Sequence, residues 1–360
     1  MKKKYCLFIP SMRGGGAEKV VALLSSFLAN KEDAEVYLLV MREEGVYWDL
    51  IIDKVNIVVL NKKRALHCIV PLIKWIKVNK PDIIFSALNY ANLIVAIARS
   101  LSGINCKHIM SEHGRFYIPY NIGSYIYKAI FSFYYNKADL IVAVSDGIKK
   151  EIVENLSIDA NKVVVINNPA FPSKKVINKV DLSNYFKVVP SKLIISIGRL
   201  DPLKNFINLL TAYKLLNKKD IGLVILGEGN QRAMLEKYIK KNNLDYQVLL
   251  PGFVKDPYIW LNTADLFVSS SDSEAFGNAI VEAMAYGLNI VSTRCDGPCE
   301  ILNNGEFGIL VPINDSENLC EAINNILLNK NLFDKVKIQE RAKSFSQENI
   351  FKKYDDIFES

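Results

Sequence analysis

Short runs of β-branched and other apolar residues alternate along this chain with longer stretches in which apolar residues recur every three to four positions. In the first half the runs are Tyr5–Pro10, Glu35–Met41, Asn56–Leu60, Asp82–Leu88, His108–Ser111 and Asp139–Ser145. In the second half Leu193–Gly198, Gly222–Gly227, Val248–Leu250, Asp265–Ser270, Asn289–Thr293 and Gly308–Val311 repeat the rhythm. Strands separated by helix-period segments are βαβ units, so the pattern predicts an α/β protein with two doubly wound parallel sheets. Between them, Asn167 to Lys192 holds Pro169, Pro172 and Pro190, several lysines and no clear period. This predicts a first domain over residues 1–170, a linker over 171–190 and a second domain over 191–344, with a terminal helix over about 345–360. Ligands of such sheets bind outside the C-terminal ends of the strands, so a cleft between the two domains is the expected active site. That arrangement alone fits dehydrogenases, periplasmic binding proteins and sugar transferases alike.

Composition narrows the class. With 360 residues, 50% hydrophobic and 23% charged, the chain is too apolar to be disordered and too long for one core. The opening MKKKYCLFIP has an apolar run that ends at Pro10, with Arg13 following, too short for a signal peptide. No stretch reaches the roughly 18 uninterrupted apolar residues of a membrane span; Ile83 to Ala98 is broken by Asn89 and Asn92. A cytoplasmic protein is expected. The six cysteines are scattered, which is not a disulfide framework, and the one close pair, Cys295 and Cys299, lacks a second pair or a histidine at zinc spacing. Residues 1–180 carry 25 Lys and Arg against 15 Asp and Glu (+10) and residues 181–360 carry 20 against 23 (−3), together the net +7.

Candidate chemistry concentrates in SSSDSEAFGNAIVEAMAYGLNIVSTRCDGPCEIL, residues 269–302. A buried strand ends at Ser269-Ser270, a polar loop follows, and a helix runs from about Asn278 to Tyr286. Glu274 then falls in the loop, and the amides of Phe276, Gly277 and Asn278 stand at a helix N-terminus, which favours an anion such as a diphosphate. Glu282, two turns along, is placed to reach a ribose hydroxyl. Spacing alone equally allows Glu274 to be a dipole partner and Glu282 a solvated surface residue. At the first strand of the second domain, Arg199 follows the strand and Lys204 precedes a helix, two cations suited to a leaving diphosphate or else ordinary loop charge.

Gly14-Gly15-Gly16 follows the first strand and Gly227-Glu228-Gly229 a strand of the second domain; neither completes a dinucleotide fingerprint or a P-loop, and each alone reads as a tight turn. Of three histidines, His113 in Ser111-Glu112-His113-Gly114 comes directly after a strand, where it can donate to a substrate hydroxyl or serve the structure. Residues 115–137 hold nine aromatics with Arg115, Lys128 and Lys137, either a core helix or a face that rests on a membrane beside a lipid-linked acceptor.

Taken together, GGGAEK (14–19), SEHG (111–114), GRLDPLKN (198–205), LGEG (226–229), PGFVKD (251–256) and EAFGNAIVEAMAYG (274–287) resemble glycosyltransferase family 4 over nearly the whole chain. The resemblance implies the GT-B fold, two Rossmann-like domains with an interdomain cleft and a C-terminal helix crossing back to the first. It implies that Arg199 and Lys204 clamp the donor diphosphate, Glu282 binds ribose and Glu274 faces the donor sugar. Phe276, Gly277 and Asn278 would give backbone contacts, the base would lie against Phe253-Val254, Gly15-Gly16 would close over the phosphates and His113 would touch the donor sugar. Retention of configuration without a metal or other cofactor is implied, with the departing phosphate oxygen taking the acceptor's proton. The chain is similar to bacterial enzymes that build polysaccharide or lipid-linked oligosaccharide from nucleotide sugars, most often UDP-sugars. The expected partners are therefore a nucleotide-sugar donor, a saccharide acceptor such as a polyprenyl-diphosphate-linked one, and the inner face of the cytoplasmic membrane. A dehydrogenase lacks its glycine fingerprint here, a metal-dependent transferase of the other common fold lacks Asp-x-Asp, and a nucleic-acid binder lacks a motif. A non-catalytic nucleotide-sugar-binding protein stays open, and turnover separates it from the enzyme.

Overall fold

Each predicted strand is present, its ends shifted by a residue or two, in the computed structural model, which describes residues 2–115, 123–329 and 332–360. The first unit runs β1 (Lys3–Ile9), α1 (Gly16–Ala29), β2 (Ala34–Val40), β3 (Asn56–Val59), α2 (Ile69–Asn79), β4 (Ile83–Ala87), α3 (Asn89–Ser102) and β5 (Lys107–Glu112). It continues with α4 (Gly123–Asn136), β6 (Leu140–Ala143), α5 (Asp146–Leu156) and β7 (Val163–Val165), the last a short edge strand beyond the predicted set. The second unit runs β8 (Lys192–Ile197), α6 (Phe206–Leu216), β9 (Ile221–Leu226), α7 (Arg232–Lys241), β10 (Val248–Gly252) and α8 (Tyr258–Leu261). Then come β11 (Leu266–Ser269), α9 (Asn278–Ala285), β12 (Asn289–Thr293), α10 (Asp296–Ile301), β13 (Ile309–Val311), α11 (Ser316–Leu328) and α12 (Lys335–Lys343), and α13 (Gln347–Glu359) ends the chain.

Both sheets are parallel, ordered β3-β2-β1-β4-β5-β6-β7 and β10-β9-β8-β11-β12-β13. The strand order reverses beside β1 in the first and beside β8 in the second, the topological switch points where ligands of such sheets bind. Central strands are covered on both faces, which is why β4 (IIFSA) is buried at every position rather than alternating. No helix of the described residues is long and apolar enough to cross a membrane.

The compact units comprise residues 1–168 with 350–360, and 169–349. In the first unit α13 turns Ile350, Phe351, Tyr354 and Phe358 inward at helical spacing. Phe351 meets Phe27 at 4.9 Å between ring centres, Tyr354 meets Phe85 at 5.8 Å and Phe358 meets Tyr5 at 5.7 Å. Burying each ring contributes about 2 kcal/mol, enough to seat the helix. Residues 171–190, expected as a linker, belong to the second unit. Val176 N–H donates to Tyr286 Oη at 2.9 Å, Val180 N–H to Thr263 Oγ1 at 2.8 Å, and Asn262 Nδ2 to Ile177 O at 2.7 Å.

Candidate functional site

In the second unit the loops after β8, β11 and β12 are sewn together by their own polar groups. Ser270 Oγ donates to Lys204 O at 2.9 Å, Asp272 N–H to Leu203 O at 2.8 Å, and Thr293 Oγ1 to Ser271 O at 2.5 Å. Asn205, left-handed at φ 43°, caps α6 through Asn208 N–H and donates Nδ2 to Asp272 at 2.8 Å. Ser270, Asn205 and Asp272 give no chemical signal in the sequence, yet they fix the position of the groups that do.

On this frame the predicted residues converge. Lys204 ends a short 3₁₀ turn, Pro202–Lys204, capped by Asp201, and its ammonium pairs with the carboxylate of Glu274, 70 residues away. Both side chains are mostly covered, at 24% and 19% exposure. Arg199 stays 77% exposed while its Nε donates to Asp201 at 2.6 Å, so it is held at its base and open at its tip. Asp201 is thus a shared anchor that sequence reasoning missed. Gly277 caps α9 at φ 117°, a conformation L side chains rarely adopt, and delivers the chain from Glu274 into the helix. Phe276 turns its ring into the core, 5.4 Å from Phe345, so only its backbone is available to a ligand. Asn278 opens α9, and Glu282 on the same helix is 8% exposed, which excludes the solvated-surface alternative for it. Phe253, 53% exposed, and Val254 follow β10 at the same edge of the sheet. In the Gly227-Glu228-Gly229 turn, a Cβ on Gly227 would lie 1.9 Å from Gly198 O, so this glycine admits the neighbouring loop.

In the first unit Gly15 precedes α1 and Gly16 begins it, after β1. That loop is braced by Met12 N–H to Glu44 O and Val46 N–H to Met12 O, each 2.8 Å. Leu88, between β4 and α3, has φ 81°, an outlier for a branched residue that costs on the order of 1–3 kcal/mol, at the switch point itself. His113 follows β5, its Nε2 hydrogen-bonded to Ser111 Oγ at 2.9 Å. Burial pushes it down to about 4, Asn168 opposing, so the ring is neutral at physiological pH. Beside it Glu112, fully buried, accepts from Asn92 Nδ2 at 2.7 Å and from Tyr135 Oη. Burial pushes Glu112 up to about 7 with Glu151 adding, against the pull of those two hydrogen bonds.

The 115–137 segment lies partly outside the described residues, at 116–122. Its described helix, α4, is two-sided: Phe131 and Tyr135 are buried, while Tyr125, Ile126, Ile130 and Phe133 are exposed. Among the described residues no group of three or more His, Cys, Asp or Glu could hold a metal ion. The cysteines are free, and Cys295 Sγ donates to Ser271 O at 3.1 Å, a structural contact beside the loop.

Comparison with known proteins places these elements in context. Residues 14–173 match the model of Glycosyltransferase Family 4, and residues 182–345 that of Glycosyl transferases group 1. Over 373 residues the chain is 31% identical to N-acetylgalactosamine-N,N'-diacetylbacillosaminyl-diphospho-undecaprenol 4-alpha-N-acetylgalactosaminyltransferase of Campylobacter jejuni, covering 97% of each. It is 24% identical to the amylovoran biosynthesis glycosyltransferase AmsD of Erwinia amylovora, over 95% of each. Among solved structures, the Anabaena protein HepE in complex with UDP and glucose superposes with a TM-score of 0.80 at 19% identity, covering 99% of this chain and 100% of that one. The lipopolysaccharide outer core galactosyltransferase WaaB does so at 0.76 and 20%, covering 99% of each. These likenesses establish the two-domain GT-B fold.

Proposed function

The chain belongs to glycosyltransferase family 4, and from that premise we propose that it moves a hexose or N-acetylhexosamine from a UDP-sugar to a growing, polyprenyl-diphosphate-linked saccharide with retention of configuration. It is a nucleotide-sugar-dependent glycosyltransferase of bacterial surface-polysaccharide biosynthesis. The observation that carries the finer reading is the meeting of Lys204 with Glu274, with the exposed Arg199 tied to the same turn through Asp201. Two cations there oppose the negative charge that grows on a diphosphate as its bond to the sugar breaks. Glu274 is then the carboxylate for the donor sugar and Glu282 the one for ribose, with the α9 N-terminus taking phosphate or sugar oxygens through backbone N–H groups. The base is assigned to Phe253-Val254. In the first unit Gly15 and Gly16 are assigned to the phosphates and His113 to a hydrogen bond with the donor sugar; a neutral ring suits that role. The departing phosphate oxygen takes the acceptor's proton on the face it leaves, so no protein base is required. The activity for which the Campylobacter relative is named, an α-linked transfer to a diphospho-undecaprenol glycan, supports the acceptor class. The exposed apolar side of α4 supports work at the inner face of the cytoplasmic membrane.

Thermal denaturation with UDP, GDP, ADP and their sugars tests the donor. UDP and a UDP-hexosamine should stabilise the protein by about 3 kcal/mol at hundredfold excess over Kd, with the others inert. NMR of the transferred product should show the donor's own anomeric configuration. Selective stabilisation by GDP-sugars, or an inverted product, refutes the assignment.

A further inference from the structure

Arg199 and Lys204 leave the same loop of the second unit, and one carboxylate touches both. Asp201 Oδ2 accepts from Arg199 Nε at 2.6 Å, and Asp201 Oδ1 accepts from the backbone N–H of Lys204 at 3.2 Å. Each oxygen thus serves one of the two cations. The Asp201 side chain is only 15% exposed, while that of Arg199 stands open. An ion pair between two exposed side chains contributes little to stability. Here the covered partner holds the open one, which gives the contact a direction rather than an energy.

The backbone around Arg199 is already fixed without it. Gly198 N–H donates to Leu226 O at 3.0 Å, Leu200 N–H to Glu228 O at 2.9 Å and Gln231 N–H to Leu200 O at 2.9 Å. A Cβ on Gly229 would lie 2.2 Å from Leu200 O, so the two turns meet backbone to backbone. What these contacts leave open is the direction of the long Arg199 side chain, which has many rotamers when free. Asp201 holds its Nε, and among the described residues neither Nη group has a partner. Those two groups are the edge of a guanidinium that forks onto two phosphate oxygens. The Lys204 stem lies against Gly198, where a Cβ would come within 3.3 Å of its Cδ and Cε, so the turn capped by Asp201 also sets where that ammonium starts.

We infer that Asp201 is a positioning residue of the transfer reaction: it aims the Arg199 guanidinium at the leaving diphosphate and, through its cap, holds the turn that presents Lys204. This rests on the reading of those two cations as the diphosphate clamp. The charge of Asp201 makes the role separable from a structural one. A carboxylate near a diphosphate repels it, so Asp201 opposes nucleotide binding by its charge alone. What it supplies in return is a cation that need not reorient as the bond to the sugar breaks, which favours the transition state over the bound ground state. Loss of Asp201 should therefore divide turnover from binding. The value of kcat falls, while UDP binds at least as tightly as before.

Two substitutions take the contacts apart. Asp201→Ser keeps a capping oxygen for Lys204 N–H but is too short for Arg199 Nε, and Asp201→Ala removes both contacts. Turnover, donor KM, the Kd of UDP and the melting temperature are measured for each, alone and combined with Arg199→Ala. Asp201→Ser should lower kcat on the order of tenfold, less than Arg199→Ala itself, with the Kd of UDP equal or lower and the melting temperature retained. In the Arg199→Ala background the same substitution should cost nothing further, because the group it acts through is gone. Asp201→Ala should lose more, and that excess should persist in the Arg199→Ala background, since it passes through Lys204. Wild-type turnover by Asp201→Ser beside an impaired Arg199→Ala overturns the inference and leaves the clamp standing. An equal loss from Asp201→Ser with and without Arg199, or UDP binding that weakens in step with kcat, makes Asp201 a structural residue of the turn and overturns it too. Wild-type turnover by both Arg199→Ala and Lys204→Ala overturns the clamp and the inference together.

Discussion

The strand ends of the two units solve opposite electrostatic problems. In the second unit Arg199, Asp201, Lys204 and Glu274 are charged and partly open, each compensated by a neighbour of opposite sign. In the first unit Glu112 and His108 are buried and His113 is half-buried, and desolvation drives each toward its neutral form, pushing Glu112 up to about 7, His113 down to about 4 and His108 down to about 3. A site meant to receive a diphosphate must keep charge available and cannot bury it. On the proposed assignment of His113 to the donor sugar, a neutral setting serves that contact, because hydrogen bonds strengthen where water is excluded. The same fold, used twice, thus carries a charged half and a neutral half.

The sharpest way to break this contrast is to remove charge from the second unit. Lys204→Ala and Arg199→Ala should each lower kcat a hundredfold or more, the scale of losing one stabiliser of developing charge. Glu274→Ala should lower kcat strongly with UDP binding retained, although it frees the Lys204 ammonium, while Glu282→Ala should mainly weaken UDP binding. Steady-state kinetics with calorimetric titration of UDP separates these outcomes. If Glu274→Ala loses UDP and Glu282→Ala keeps it, the roles are reversed. If both cation variants turn over like wild type, the charged half is not where the leaving group sits.

The neutral half is tested by pH. Folded Glu112 holds its proton up to about 7, above the ordinary carboxyl value of 4.5, so between those limits the folded state binds more protons than the unfolded. Its contribution is most favourable below the lower limit and is lost as pH rises through about 7, amounting to about 3 kcal/mol. Glu112→Gln keeps an oxygen for Asn92 and Tyr135 and cannot ionise. Urea unfolding at about pH 5 and about pH 8 should therefore show the variant gaining on wild type by about 2–3 kcal/mol at the higher pH. A constant difference would mean that Glu112 ionises without cost. The histidines run the other way: held neutral, they stabilise above the unfolded value of 6.5, and that contribution is lost as pH falls toward about 4 for His113 and about 3 for His108.

What the sequence made legible was periodic or local. The runs that became the central strands β1, β4, β5, β8, β9, β11 and β12 are apolar because both faces of a parallel sheet are covered there, and the loop residues Arg199, Lys204 and Glu274 follow from where the runs of the second unit stop. What stayed hidden depends on partners far along the chain. Glu112 reads as an ordinary polar residue at a strand end until Asn92 and Tyr135 close over it. Residues 171–190 read as a linker because Tyr286, Thr263 and Asn262, which hold them, lie 83 to 110 residues on. The lysines of α2 are diluted in a net charge counted over half the chain, and only the burial of Cys68, Leu72 and Ile76 sorts Lys74 and Lys77 to the outward side.

The smallest expected effect is none, and it sharpens the contrast most economically. A divalent ion in a sugar transferase neutralises the leaving diphosphate. If Arg199 and Lys204 already do this, adding Mg²⁺ would compete with them for the same oxygens and contribute little. Turnover measured after dialysis against EDTA should therefore equal turnover with Mg²⁺ or Mn²⁺ restored. The Lys204→Ala variant gives the control, because a partial rescue by Mg²⁺ in that variant alone would show the ion taking the vacated place of the ammonium. Wild-type activity that vanishes with EDTA and returns with Mn²⁺ would show that the cations of the second unit do not suffice, and the charged half would then need an ion.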